Sequence, residues 1–531
     1  MNHLILIVAL IIVLCTFLNK VSNKIGIPVL LLFIVVGILS GSDGLLKIEF
    51  EDYVLSEKIC SIALIFIMFY GGFGTRWDQA KNVSYKAGIL STLGVLCTAG
   101  LTALFCYTIL HFGLGESFLM GAVISSTDAA SVFSILRSQK LGLKNNTDSL
   151  LELESGSNDP CSYLLTILAL AFLDGNFDSL FMIKMLGSQF VIGILFGIAI
   201  AYIAVFVLSR YNFSHNGSDM AFVIGVALLS YACAAILDGN GYLSVYLCGI
   251  IMGNKPICNK KALVHFANGI TGLMQILIFF LLGLLATPSK IPDIFLPAFA
   301  IMLFLTFIAR PTAIFLLMLP FKSGLRENLL ISFAGLRGAA SIVFAIMAVV
   351  HPSQFSSDLF HIVFCIVLLS IAFQGALLAP CARMLKMTDS SINIMKTFSD
   401  YTEDIDLSFI KIIVNTGHIW TNKKIKDIIF PPETLVAMII RDNKRIIPHG
   451  DTTIFESDIV ILTAKKYEGD ETLSFKEYTI KHDSALIGKR IYEFSQIKNE
   501  LVIILIRKSQ TIVPNGNTII EKNDKLVIAI Q

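Results

Sequence analysis

The sequence predicts an all-α polytopic membrane protein of about thirteen transmembrane helices, with inverted repeats, discontinuous helices in the fifth and twelfth spans, and a cytoplasmic α+β tail. Three observations predict it. Apolar residues make up 55 % of the chain and charged residues 15 %, against about 25 % charged in a soluble domain. Mean hydropathy is +0.75. The apolar residues are concentrated between residues 3 and 385, and the remainder reads as short strands and turns.

A hydrocarbon core of ~30 Å needs about 20 apolar residues per helix. Windows of that length centre near residues 11, 33, 66, 97, 126, 163, 197, 228, 247, 275, 306, 340 and 371. The loops between them alternate in charge. One set carries Lys20 and Lys24; Arg76, Lys81 and Lys86; Arg137, Lys140 and Lys144; Arg210; Lys255, Lys260 and Lys261; Lys322 and Arg326; Arg383 and Lys386. The other set is poor in Lys and Arg and holds Asp43, Glu49, Glu51, Asp52, Glu116, Asp174, Asp178, Asp238, Asp293 and Asp358. Basic loops stay on the cytoplasmic side, so the N-terminus is expected outside and the C-terminus in the cytoplasm. The first apolar run lacks a basic leader and a small-residue cleavage site, and is expected to be a retained helix. The ten Cys show no CxxC or Cys/His spacing, so neither a disulfide framework nor a zinc site is expected.

Two segments echo each other seven spans apart. GILSGS (Gly37 to Ser42) resembles GIIMGN (Gly249 to Asn254), and STDAAS (Ser126 to Ser131) in span 5 pairs with GLRGAAS (Gly335 to Ser341) in span 12. An odd offset reverses the direction of crossing. Polar, glycine-interrupted segments at matching places in inverted halves mark the substrate site of secondary transporters, although closely spaced small residues also arise from helix packing alone.

The divisions expected are a membrane domain over 1–387, a linker over 388–408, and two modules over 409–466 and 473–531. The modules are related by an offset of 66: Leu435 to Ala464 matches Leu501 to Ile530, with Arg441/Arg507, Pro448/Pro514, Gly450/Gly516 and Asp458/Asp524 in common. Each unit reads as strand, short helix and three strands with a Pro-x-Gly turn. No glycine-rich dinucleotide fingerprint follows a strand in the tail.

The chemistry lies inside the membrane domain. ESGSNDP (Glu154 to Pro160) interrupts an apolar run, and an ionisable group there costs roughly 2.5–3.5 kcal/mol unless it faces protein or water. On a helix, Glu154 and Asn158 share one face, and Ser155 and Asp159 a neighbouring one. Pro160 weakens the backbone ladder nearby and is expected to free carbonyls for an ion. Span 5 brings Ser125, Ser126, Thr127 and Asp128 to its midpoint. These hydroxyls, carboxylates and loosened carbonyls are oxygen ligands suited to a hard monovalent cation. A desolvated carboxylate holds its proton to higher pH, so Asp159 is expected to carry a proton or a cation in turn. Asp128 reads equally as a ligand, as a cap for a half-helix or as a packing residue. Arg310 and Arg337 cannot shed their charge; Glu154 is the expected partner of Arg310, and the bland alternative is that Arg310 snorkels. His265, His351 and His361 lie near span ends and read as interfacial. Ser155 and Ser157 have no nucleophile motif beside them.

STDAASVFSIL, LELESGSNDP, FIARP and GLRGAASIVFAI together resemble the monovalent cation:proton antiporter family 1, and within it the bacterial potassium/proton antiporters of the cell-volume-regulation type. The likeness covers residues 1 to 385, and the tail modules resemble TrkA-C (RCK C-terminal) domains in tandem. The resemblance implies a core domain moving against a dimerisation domain in a homodimer. It implies Asp159 as the exchanging carboxylate, with the Asn158–Asp159 pair of the electroneutral branch. It places Thr127 and Asp128 at a crossing of unwound helices, Ser155 among the ligands, Glu154 with Arg310 as a structural pair, and Arg337 as balance for the crossing. The chain departs from many members at Ala129, where they carry Pro.

The expected function is exchange of K⁺ for H⁺ across a bacterial inner membrane, regulated by a tail that takes a small nucleotide or an ion. No cofactor, resident metal or nucleic acid is expected. Na⁺ (or Li⁺) exchange on the same fold is the alternative. A potassium channel would need a carbonyl filter of the TVGYG kind, and a membrane enzyme would need a metal motif or a nucleophile–base set; neither pattern is in the sequence.

Overall fold

The computed structural model describes residues 6, 9–18, 28–75, 77–128, 131–132, 135–136, 139, 141–175, 179–210, 217–257, 259–321, 323–352, 357–389, 407–415, 417–431, 434–441, 444–465, 474–480, 484, 486–493, 501–507, 510–512 and 514–530. Lys20, Lys24, Arg76, Arg137, Lys140, Lys322, Ala129 and most of the expected linker lie outside the described residues. The chain divides into two compact units, Met1–Asp404 and Ile405–Gln531.

The first unit is helical. Its elements are α1 (Ala9–Leu18), α2 (Val29–Ser40), α3 (Tyr53–Gly74), α4 (Ser84–Thr108), α5 (Leu114–Val123), α6 (Thr147–Leu173), α7 (Ser179–Arg210), α8 (Ser218–Ile236), α9 (Gly241–Gly253), α10 (Lys260–Leu285), α11 (Pro288–Phe321), α12a (Leu325–Phe333), α12b (Ala339–Val350) and α13 (Leu359–Met384). Among the described residues, seven helices are long and apolar enough to cross a membrane. Shorter apolar helices include α2, α5, α9 and α12b, which carry or adjoin the glycine-interrupted and polar segments that the sequence marks. After α5 the backbone is non-helical at 126–128 and helical again at 131–132, and α12a and α12b are separated by an extended stretch at 335–338.

The two halves pack by the same device. In α2, a Cβ on Gly37 would strike the α10 backbone at Phe280 and Gly283; in α9, one on Gly249 would strike the α3 backbone at Phe69 and Phe73. Gly283 and Gly72 return these contacts against Ile34 and Tyr246. Small residues let helix backbones meet where lipid offers no hydrophobic drive. The GILSGS/GIIMGN echo therefore has a physical content: α2 on α10 and α9 on α3 are the same contact seven spans apart. A π-helical turn interrupts α4 at Leu90–Gly94 and another interrupts α11 at Leu305–Ala309, again seven spans apart. A third, Ser370–Gln374, lies in α13. Such turns widen the ladder and recur at functional sites.

Two details were not legible in the sequence. A short antiparallel ladder joins β1 (Gly142–Leu143) to β2 (Thr388–Asp389), extended by Lys144 N–H to Met387 O at 2.9 Å. It ties the connector between α5 and α6 to the chain leaving α13. And α6 continues through Pro160 without a break. The proline deprives the carbonyl four residues back, Gly156, of its partner, so the carbonyls of Asn158 and Asp159 are not the ones it frees.

The second unit holds two four-stranded antiparallel sheets. The first is β3 (Leu407–Ile413), β4 (Leu435–Arg441), β5 (Lys444–Ile446) and β6 (Ile459–Lys465), in the order β3-β6-β4-β5. The second is β7 (Ser474–Thr479), β8 (Leu501–Arg507), β9 (Gln510–Ile512) and β10 (Lys525–Ile530), in the order β7-β10-β8-β9. The last three strands of each begin 66 residues apart, and a short helical turn follows the first strand, at Ile425–Asp427 in the first module and residues 491–493 in the second. Each module closes on its own apolar cluster, one around Ile439, Ile454 and Val460, the other around Leu505, Ile520 and Leu526. The repeated charges pair inside each module. Arg441 Nε donates to Asp458 at 2.8 Å, and Arg507 Nη2 donates to Asp524 at 2.7 Å, both carboxylates being fully buried.

Burial pushes the Asp458 carboxyl up, but the Arg441 hydrogen bonds, the Phe455 N–H and the guanidinium charge outweigh it and leave the group below the usual carboxylate value. A depressed folded-state value stabilises the module above the ordinary carboxylate range, and that contribution is lost as pH falls through the lowered value. Arg441→Ala leaves Asp458 buried and unpaired, at a cost of about 3 kcal/mol. Hydrogen exchange should speed up across 407–465 and stay unchanged across 474–530; equal loosening of both modules would contradict the separate cores.

Candidate functional site

The breaks in α5 and α12 cross each other against α6. The Asp128 N–H donates to Leu336 O at 2.8 Å, so the two interrupted segments satisfy part of each other's backbone. Asp128 then caps the helical segment that follows it: its carboxylate accepts from Ser131 N–H at 3.2 Å and from the Ser131 hydroxyl. It also lies over Gly338, where any Cβ would collide with it, at the start of α12b. One carboxylate thus meets the positive ends of two half-helices, where a negative charge is stabilised. Gly335 is held small for a parallel reason, since the Arg310 side chain occupies the space of its missing Cβ.

Two guanidiniums hold the surroundings. Arg310 follows the π-turn of α11 and places Nη2 2.8 Å from Glu154 Oε1, with both side chains almost fully buried. Snorkelling is therefore not its conformation. Arg337 stands in the break of α12, 3 % exposed; its Nη1 donates to Ser126 O at 2.8 Å, and its own N–H donates to Ser370 Oγ at 3.0 Å in the π-turn of α13. The arginine therefore fixes the α5 break through a carbonyl.

From α6, Ser155 Oγ donates to Thr127 O at 2.6 Å, and the Asn158 amide donates to Thr127 Oγ1. Asn158 is fully buried and its Oδ1 has no protein hydrogen bond. Asp159 is only partly buried. Its Oδ1 accepts from the Ser126 hydroxyl, and among the described residues no Lys or Arg lies within ion-pair reach of it. Asn240, capping α9, donates to Pro160 O at 2.9 Å and so ties α9 to α6 one residue beyond Asp159.

All the residues singled out in the sequence, Thr127, Asp128, Glu154, Ser155, Asn158, Asp159, Arg310 and Arg337, converge on this one crossing. Sequence reasoning placed Ser126 in the broken segment without assigning it to Asp159. It missed Ser370 and Asn240, which reach the site from α13 and from the start of α9, outside any motif; no periodicity in the sequence marks them.

The crossing gathers oxygen atoms of several kinds (hydroxyl, carbonyl, amide and carboxylate) around one carboxylate that has no cationic partner among the described residues. The crossing holds two buried guanidiniums, Arg310 and Arg337, and three carboxylates, Glu154, Asp128 and Asp159. With every group ionised, the cluster is one positive charge short of neutral.

The model of the transmembrane sodium/hydrogen exchanger family matches residues 7–384, and the TrkA-C domain model matches residues 409–474 and 475–531. The chain is 32% identical over 471 residues, 88% of its length and 82% of the other's, to the K(+)/H(+) antiporter NhaP2 of Shewanella oneidensis. It is 36% identical over 388 residues, 73% of its length and 67% of the other's, to the K(+)/H(+) antiporter NhaP of Alkalimonas amylolytica. Among solved structures, the sodium proton antiporter MjNhaP1 of Methanocaldococcus jannaschii at pH 8 superposes with a TM-score of 0.63 at 24% identity, covering 71% of this chain and 100% of that one. That superposition speaks to the fold.

Arg310→Gln strands Glu154 in the interior and should destabilise the membrane unit by roughly 3–5 kcal/mol. Glu154→Gln with Arg310→Gln removes both charges and should recover most of the loss. A thermal-unfolding comparison of the single and double variants checks this; a double variant no better than the single would contradict an isolated pair.

Proposed function

Since the chain belongs to the sodium/hydrogen exchanger family and carries two TrkA-C domains, we propose that it exchanges K⁺ for H⁺ at Asp159 by alternating access. The observation that carries this reading is the isolation of Asp159. Glu154 is engaged by Arg310, and Asp128 by the helix ends, which leaves Asp159 as the carboxylate of the crossing that can change its partner. Either a proton or one monovalent cation supplies the missing positive charge of the cluster, but not both. Exchange in which the loaded states carry equal charge is electroneutral, and the Asn158 neighbour, which adds no charge, fits that stoichiometry.

In the proposed cycle the cation displaces the proton from Asp159 and takes oxygens from Thr127, Ser155 and Asp128. Asn158 holds the Thr127 hydroxyl in place. The Ser155 hydroxyl turns from the Thr127 carbonyl to free it. Glu154, Arg310 and Arg337 stay charged throughout and keep the two broken helices crossed. No covalent step and no cofactor enters. The bilayer is proposed to be a bacterial inner membrane, with the N-terminus outside, the tail in the cytoplasm and a homodimer as the working unit. The modules over 409–466 and 473–531 are proposed to set activity by binding a small nucleotide or an ion.

K⁺ is preferred because relatives aligned over most of the chain are named K(+)/H(+) antiporters. Na⁺/H⁺ exchange is the second reading; it is favoured by the name of the solved neighbour and by oxygen ligands that do not by themselves separate the two ions.

Proteoliposomes containing a pH-reporting dye test the proposal. Adding K⁺ should give a dye response that is independent of a clamped potential, and Asp159→Asn should abolish it for K⁺, Na⁺ and Li⁺ alike. A variant that exchanges at the normal rate would remove Asp159 from the mechanism.

A further inference from the structure

Among the described residues five serines surround the break in α5, and four of them are committed elsewhere, Ser131 to the Asp128 carboxylate and three to carbonyls. Ser125 Oγ donates to Ala122 O at 2.7 Å, Ser162 Oγ donates to Ala122 O at 2.7 Å, and Ser155 Oγ donates to Thr127 O at 2.6 Å. Ser126 differs. It is 2 % exposed, its hydroxyl donates to Asp159 Oδ1, and its carbonyl is held by Arg337 at 2.8 Å. The backbone that presents Ser126 is therefore fixed independently of its side chain, and the side chain is directed at the carboxylate proposed to exchange ions.

We propose that Ser126 sets the competition between proton and cation at Asp159. When the carboxylate is empty and ionised, the Ser126 O–H donates to it, and a donor to the charged form opposes protonation. When a cation sits on Asp159, the same hydroxyl turns its hydrogen away and offers a lone pair, since a hydroxyl has one donor and two acceptor sites. Rotation about one bond switches between the two roles, and Arg337 keeps the backbone still. Ser126 is a positioning residue: it acts on the substrates through Asp159 and through one oxygen beside it. The inference rests on the exchange reading above and deepens it.

The other charged or titratable groups around Asp159 do not duplicate this role. Asp128 faces it from the α5 break, Cys161 from α6 and Tyr246 from α9, whereas Arg337 is directed at the Ser126 carbonyl and Arg310 at Glu154. Further along, Tyr163 on α6 is under the influence of Glu57 on α3, and Lys86 on α4 pairs with Glu327 on α12a at 3.8 Å. Among the described residues, Ser126 supplies the hydrogen bond recorded to the Asp159 carboxylate.

The test is the pH profile of K⁺/H⁺ exchange in proteoliposomes for the full chain, Ser126→Ala, Ser126→Thr and the Asp159→Asn control. Ser126→Ala should move the acid limb of the profile up by about one pH unit, the size expected when a hydrogen bond to a charged group is lost. On that limb the KM for K⁺ should rise severalfold. Ser126→Thr keeps the hydroxyl and should restore the wild-type profile. A residue that merely packs would lower the maximal rate without moving the limb, so a Ser126→Ala profile superposable on wild type in pH overturns the inference. If Ser126→Ala is not recovered folded, Ser126→Cys, a near-isosteric weak donor, should shift the limb in the same direction by less; no shift overturns the inference equally. A silent Asp159→Asn control beside an unmoved Ser126→Ala leaves the exchange reading standing and removes only Ser126. An Asp159→Asn control that still exchanges removes both.

Discussion

The ion pair between Arg310 and Glu154 is the interaction on which the membrane unit depends. Two charges buried in hydrocarbon carry a desolvation cost that only close, well-aimed pairing offsets. At 2.8 Å the guanidinium and carboxylate are close enough for their charges to offset that cost, although among the described residues Glu154 Oε1 and Oε2 and Arg310 Nε and Nη2 make no aligned hydrogen bond, and the consequence reaches beyond them. Glu154 lies little more than one helical turn from Asp159 on α6. Once Arg310 has engaged Glu154, the cation of α11 is no longer available to Asp159. Among the described residues no Lys or Arg then lies within ion-pair reach of Asp159.

The crossing of the two interrupted helices follows from the same constraint. Unpaired backbone groups cannot be left facing lipid, so each break is satisfied by the other, by Arg337 and by Asp128. The glycines of GLRG are explained by what approaches them: Arg310 at Gly335 and Asp128 at Gly338. Arg310 directly follows the π-turn of α11 and Ser370 opens that of α13, so both contacts to the site are made at widened turns. The site is thus a set of charges held by hydrogen bonds and one ion pair around Asp159, the arrangement on which the proposed exchange rests.

Much of this was legible in the sequence, for definable reasons. Charge is so costly in an apolar run that each buried ionisable residue announces itself, and Asp159, Asp128, Glu154, Arg310 and Arg337 were all found that way. The tail modules were found because a repeat of 66 residues preserves Arg441 with Asp458 and Arg507 with Asp524, pairs that each module needs inside. The GILSGS and GIIMGN echo was visible because glycine is the residue that close helix contact demands. Other features carried no such mark. The π-turns depend on how neighbouring helices pull on a backbone, and the ladder between Gly142–Leu143 and Thr388–Asp389 joins segments far apart in the chain. Asn240 and Ser370 look like ordinary polar residues until the fold brings them to α6 and α12. Pro160 misled for a simple reason: a proline inside a helix removes a bond one turn upstream of itself, not at its own position.

The central claim is that a metal ion and a proton exclude each other at a single carboxylate. The most direct measurement is proton release on K⁺ binding by the purified, weakly buffered protein at a pH on the acid limb of its exchange profile. The account predicts close to one proton released for each K⁺ bound, and no release from the Asp159→Asn variant. K⁺ binding without proton release, or release that persists undiminished in the variant, would contradict it.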